Sequence, residues 1–173
     1  MIHRLIWQPA LALCLLAGLS AAPAAAALGV DRQRTIAGDW RLDVSRDRFS
    51  QQIICRLRAR GGALVEGNAV GFRFKRSWDV SAAVYRIDGG TPRQSRDDRP
   101  ELLRLGTPME TGGITNPTDG VVWIPLRLLA DANAVAIKPQ PGRRPKVFHF
   151  SGLRGLYQLA HERGCMPDSR FVR

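Results

Sequence analysis

A mainly β fold is predicted, a β-sandwich of the immunoglobulin-like kind with a short helix and a C-terminal α-helix packed on the sheet. Three features of the sequence predict it. Short runs of β-branched and aromatic residues alternate with polar ones, Gly, Pro and Asp punctuate those runs, and helical periodicity is concentrated in the last segment.

The first strand signal is at Trp40, Leu42 and Val44, which alternate with Arg41, Asp43 and Ser45 in the period of two that half-buries a strand. Residues 53–60 continue as a second strand into Gly61-Gly62. Phe72 and Phe74 alternate with Arg73 and Lys75 in a third. Trp78, Val80, Ala82 and Val84 line one face of a fourth, which stops at Asp88-Gly89-Gly90. Residues 91–99 are rich in Pro, Arg and Asp with nothing to bury, and read as a surface loop. Strand signal resumes at 121–124 after the turn residues of 116–120, and Pro125 suits the first position of a short helix over 126–131. Residues 134–138 and 146–150 read as hairpin arms joined by a stiff, positive connection that carries Arg143 and Arg144.

The last element is a helix over 152–163. Ser151 is placed to cap it, Leu153, Leu156, Tyr157 and Ala160 recur at three- and four-residue spacing, and Gly164 is placed to end it.

Ahead of these elements, residues 1–27 read as a cleavable signal peptide. His3 and Arg4 precede an apolar run at 11–19, and the alanines of 21–27 offer A-x-A cleavage choices near Ala26 or Ala27. A transmembrane anchor is the alternative, but an apolar core of about ten residues is short against roughly 30 Å of hydrocarbon. Lipidation at Cys14 is disfavoured by Leu13, which stands where a small residue is usual. The expectation is a periplasmic or secreted protein whose single domain spans 28–173, with no transmembrane segment after cleavage.

Losing the leader takes the formal charge only from +11 to +10, since it holds one Arg and no acid. Nearly all of the excess is arginine, with Lys75, Lys138 and Lys146 the only lysines. Such a chain is drawn to anionic surfaces in a salt-dependent way.

Two cysteines remain after cleavage, Cys55 and Cys165. In an oxidising compartment this even count reads as one disulfide tying an early strand to the C-terminal segment. Closing so long a loop contributes close to about 5 kcal/mol in the chain-entropy model.

Three segments carry a resemblance: Gly38-Asp39-Trp40-Arg41-Leu42, Tyr85-Arg86-Ile87-Asp88-Gly89-Gly90, and Phe148-His149-Phe150-Ser151-Gly152-Leu153-Arg154-Gly155-Leu156. In this order they resemble the invasion-associated locus B family of small exported bacterial proteins. More widely, they are similar to periplasmic β-sandwich proteins, among them accessory proteins of type VI secretion. The resemblance implies an envelope location and a non-enzymatic, interaction-type role, with no catalytic residue to carry over.

Enzyme motifs are missing from the chain: it holds no G-x-S-x-G, S-x-x-K, H-E-x-x-H or phosphate loop. His149 and His161 both fall at positions expected to face solvent, and Asp97-Asp98 is expected to balance Arg93, Arg96 and Arg99. No catalytic residue, cofactor or metal is expected.

The constellation with physical content is cationic. Arg56, Arg58 and Arg60 project to one face of their strand, opposite Cys55, Leu57 and Ala59, and Arg73 and Lys75 stand opposite Phe72 and Phe74. If the two strands pair, five cations share one sheet face, where opposed like charges are unfavourable. Acidic neighbours such as Glu66 or Asp79 would relieve them. So would an anionic partner, for which arginine forks are suited. Arg143 and Arg144 belong with this set. Nucleic acid is disfavoured, because no aromatic platform shares the basic face.

The leading expectation is therefore an exported binding module for an anionic envelope component or another envelope protein. A structural accessory subunit of an envelope machine comes next, and a small hydrolase last.

Overall fold

The structure, a computed structural model, describes residues 32–107, 109 and 118–166. The leader at 1–27, including Cys14, lies outside the described residues, as does part of the 116–120 turn.

Two antiparallel sheets share one core. The larger has six strands, starting with β1 (Arg32–Ala37), β2 (Trp40–Arg46), β3 (Ile53–Ala59), β4 (Ala63–Glu66) and β5 (Ala69–Arg73). These five are hydrogen-bonded in chain order, so this half of the fold is a meander and not the strand exchange of an immunoglobulin domain. Tight turns build it. Gly38-Asp39 and Gly67-Asn68 are two-residue connections whose glycines, at φ +56° and +54°, take the left-handed position that a Cβ would oppose.

After β5 the chain crosses to the smaller sheet as β6 (Val84–Ile87) and β7 (Arg93–Gln94), then forms a 3₁₀ turn and α1 (Arg99–Arg104). It returns to the larger sheet as β8 (Val121–Pro125) beside β5. A 3₁₀ turn over Leu126–Leu128 then leads to β9 (Ala134–Lys138) and β10 (Lys146–His149) of the smaller sheet, whose order is β10-β9-β6-β7. The chain closes with α2 (Leu153–Glu162), which packs on β1, β2 and β3.

The period of two decides which residues reach the core. Leu42, Leu57, Val65, Val70 and Ile124 form one inward row across the larger sheet, all buried. Val135, Ile137, Tyr85 and Phe148 face them from the smaller sheet, where the rings of Phe72 and Phe148 lie 4.9 Å apart. Leu153, Leu156, Tyr157 and Ala160 of α2 are buried as their spacing predicts.

The helix ends as expected. Gly164 is left-handed, its N–H donates to the His161 carbonyl, and the Cys165 N–H donates to that of Ala160, a Schellman arrangement. Cys165 is thereby delivered to the inner face of β3, where it is bonded to Cys55 with the Cα atoms 5.7 Å apart. All the buried apolar side chains among the described residues lie from Trp40 to Ala160.

Several expectations are corrected. The strand expected from Trp78 begins only at Val84, because Asp79 accepts the Ser81 N–H and two backbone turns precede it. The residues buried along this stretch are Val80, Ala83 and Tyr85, so Val80 faces the core as expected whereas Ala82 is exposed and Val84 only half-buried. The 91–99 segment is not a bare loop but holds β7, a 3₁₀ turn and the start of α1. What it buries is polar: Asp98 is 3% exposed, accepting the Tyr85 hydroxyl at 2.6 Å and Arg93 Nη2 at 3.1 Å. Arg93 Nε also donates to the Tyr85 oxygen at 3.0 Å, which closes the triangle.

Pro125 ends β8 and stands just before a single 3₁₀ turn, so the helix expected over 126–131 is shorter than its apolar run suggested. Ser151 does not cap α2. Gly152 occupies the cap at φ +87° with no side-chain cap hydrogen bond, because the backbone there approaches Ala37 too closely for a Cβ.

The first and last of the three segments behind the resemblance meet at one joint. Trp40 Nε1 donates to the His149 carbonyl at 2.9 Å. A Cβ on Gly38 would lie 2.3 Å from the Ser151 carbonyl oxygen, and one on Gly152 would lie 2.2 Å from that of Ala37. In the middle segment, the Asp88 carboxylate accepts the N–H groups of Asn133 and Ala134. These residues build the scaffold.

Candidate functional site

The pairing of β3 with β5 that would gather five cations does not occur, because β4 lies between them. The expected set divides in two. Arg56 and Arg58 remain on the outer face of the larger sheet. Arg56 stands across from Asp43 and Arg58 across from Arg41. Asp43, nearly buried, accepts Arg34 Nε at 2.8 Å and lies 3.1 Å from Arg41 Nε, so this face carries its own neutralising centre. Burial opposes the charge on Asp43, yet Arg34 and Arg41 outweigh it and hold its carboxyl below the ordinary carboxylate range.

The other residues assemble where the ends of three segments meet. β5 runs out through Arg73, Phe74 and Lys75. The β3–β4 turn, Arg60-Gly61-Gly62, lies alongside, with Gly62 accepting the Arg73 N–H and Gly61 accepting Lys146 Nζ at 2.7 Å. The connection from β9 to β10 brings Pro139 and Arg144. Together they enclose a groove of about 330 Å³ lined by Arg73, Phe74, Lys75, Trp78, Pro139, Arg144 and Lys146. Four of its seven lining residues are cationic and none is acidic.

Aromatic rings give the groove a stiff floor. Phe74 stacks on Trp78 with centroids 6.4 Å apart, the Arg143 guanidinium lies 4.8 Å from the Trp78 ring centroid, and Lys146 Nζ lies 4.9 Å from that of Phe148. Of the acids expected to relieve these charges, Glu66 does line a neighbouring cavity with Arg73 and Asp119 on the outer face of the larger sheet, though not the groove itself. Asp79 accepts the Ser81 N–H, and Glu66 forms no ion pair within the described residues. Within the same limits no carboxylate pairs with Arg73, Lys75, Arg143 or Arg144.

Sequence reasoning did not assign Lys146, Phe74 and Trp78 to this site, and Phe74 with Trp78 supplies beside the cations the aromatic platform that the basic face was expected to lack, which removes that ground against nucleic acid. Lys146 was detectable in principle, since it shares the period of Phe148 on β10. Trp78 was masked by its apparent place in a strand.

The arrangement can hold anionic groups. Exposed guanidinium and ammonium donors line a partly apolar cleft. A second, more apolar cavity of about 270 Å³ lies among Val80, Leu102, Val122 and Trp123, with Arg96 and Arg99 in its lining. His149 is exposed, and His161 Nδ1 lies 3.2 Å from the Met166 carbonyl. Among the described residues no three His, Cys, Asp or Glu side chains gather closely enough to hold a metal, and no helix is long and apolar enough to cross a membrane. Comparison of this chain with protein-family models, with curated proteins and with solved structures finds no match.

Proposed function

We propose that this protein is an exported, non-enzymatic binding module of the bacterial cell envelope that grips an anionic envelope component through the groove between Trp78 and Arg144. One observation carries the reading: four cations line one cleft over an aromatic floor, with no carboxylate among the lining residues. Left empty, such a cleft is a site of mutual repulsion, and an anion relieves it. The ligand class that fits is a saccharide bearing phosphate or carboxylate groups, whose charges meet the guanidinium forks while its less polar faces meet Trp78 and Phe74.

The signal-like leader at 1–27 and the Cys55–Cys165 bond support the envelope location, because such bonds persist in oxidising compartments.

Retention of the 28–173 chain on immobilised heparin and on lipopolysaccharide, followed against salt, tests this. Arg73→Gln with Arg144→Gln should elute at clearly lower salt than the unaltered protein, while Arg56→Gln with Arg58→Gln should elute close to it. Equal elution of all three removes the groove from the account, and a shift confined to the Arg56 and Arg58 variant transfers the role to the outer sheet face.

A further inference from the structure

The opposite end of the larger sheet carries a different surface. β3 runs from the β2–β3 turn to the groove, so its seven residues separate the two ends by about 23 Å. At the tip of that turn Phe49 is 100% exposed, and Ile53 and Ile54 beside it are 42% and 37% exposed. Ile53 and Ile54 project to opposite faces of β3, so the tip leaves apolar surface in water at its aromatic end and on both sides of the strand behind it.

The tip is firmly built. The Asp47 N–H donates to the Gln52 carbonyl and the Gln51 N–H donates back to that of Asp47, each at 2.8 Å. Asp47 Oδ1 accepts the Phe49 N–H, the Ser50 N–H and the Ser50 hydroxyl. Just below, the Cys55–Cys165 bond fastens the end of α2 to the same strand. Phe49 is therefore presented on a braced turn.

Among the described residues, the charged side chains beside it are cationic apart from Asp47. Arg46 and Arg48 flank the turn, and Arg163 lies with Arg46 and Ile53 around a shallow depression at its base. The one acid of the turn, Asp47, spends its carboxylate on the turn's own donors, and the hydrogen bonds from Ser50 hold it below the ordinary carboxylate range.

An apolar tip beside Arg46 and Arg163 is complementary to an anionic lipid bilayer, where the aromatic ring enters the interface and these guanidinium groups meet headgroup phosphates. We infer that the β2–β3 tip docks this protein reversibly on an anionic membrane surface. The ligand groove, at the other end of the sheet, then faces away from the lipid. This surface is independent of the groove and stands or falls without it.

The test is sedimentation of the oxidised 28–173 chain with vesicles of phosphatidylglycerol and phosphatidylcholine, against vesicles of phosphatidylcholine alone. Binding is expected to the anionic vesicles and to weaken with salt. Phe49→Ala should lower the partition coefficient about tenfold, and Arg46→Gln with Arg163→Gln by a similar factor. The groove variant, Arg73→Gln with Arg144→Gln, should partition like the unaltered chain. Because Phe49 makes no buried contact, Phe49→Ala should leave the thermal midpoint unchanged, which separates loss of docking from loss of folding. No binding by the unaltered chain, equal binding by Phe49→Ala, or loss of binding only in the groove variant would each overturn the inference.

Discussion

Removing the Cys55–Cys165 bond is the perturbation whose size follows most directly from the chain. The two cysteines are 110 residues apart, and cross-linking such a loop withdraws about 16 cal/mol/K from the unfolded ensemble, or about 4.8 kcal/mol at 25 °C. A domain of this size has roughly 5–15 kcal/mol in total, so the bond supplies a third of its stability or more. Reduction should still leave a folded protein, because Leu153, Leu156, Tyr157 and Ala160 keep α2 on the sheet without it. Cys55→Ala with Cys165→Ala removes the bond without leaving a lone thiol. With a urea slope of roughly 2 kcal/mol/M, the unfolding midpoint followed by tryptophan fluorescence should fall by about 2 M. Reduced unaltered protein should fall by the same amount. Coincident midpoints for the oxidised and reduced forms would refute the reasoning.

Three further predictions follow from the scaffold. Gly152→Ala should cost about 2–4 kcal/mol in denaturant unfolding, since it combines a left-handed φ with a Cβ placed 2.2 Å from the Ala37 oxygen; Gly164→Ala, with open space around it, should cost about 1 kcal/mol. Tyr85→Phe should lower stability by about 1.5–3 kcal/mol, because Asp98 is then left buried with Arg93 as its remaining partner. Acid should weaken the fold. Paired with Arg127 and only partly opposed by burial, Glu101 has its carboxyl held low, and Asp43 is held low by Arg34 and Arg41. A depressed native pKa contributes stability above the unfolded carboxylate value, and this is lost as pH falls through the native one. The thermal midpoint should therefore drop below roughly pH 4, less steeply in Asp43→Asn.

Legibility in the sequence follows the kind of force that shapes each element. β2, β3, β8, β9, β10 and α2 were readable because local periodicity and burial agree there. β1 has exposed Ile36 and mostly polar neighbours, so only pairing with β2 makes it a strand. β4 is four residues long between two glycine turns, too short for a pattern to declare itself. Missing it led directly to the wrong neighbour for β3. The 91–99 segment reads as a loop because its anchor is a carboxylate, Asp98, whose burial depends on Tyr85 arriving from β6.

The site shows the same division. Alternation placed Arg73 and Lys75 on one side of their strand, and composition pointed to Arg143 and Arg144. That they share a cleft with Trp78 and Lys146, while Arg56 and Arg58 do not, arises from strand order and from the way the smaller sheet folds across the end of the larger.

The claim that the groove is the binding site is tested most directly by a nuclear magnetic resonance titration of the oxidised 28–173 chain with a short heparin oligosaccharide, following the indole and arginine side-chain N–H signals. The indole of Trp78 and the Nε–H groups of Arg73 and Arg144 should shift together and saturate on one isotherm, with those of Arg56 and Arg58 unmoved. Shifts centred on Arg56 and Arg58, or a uniform drift of all arginines without saturation, would contradict it.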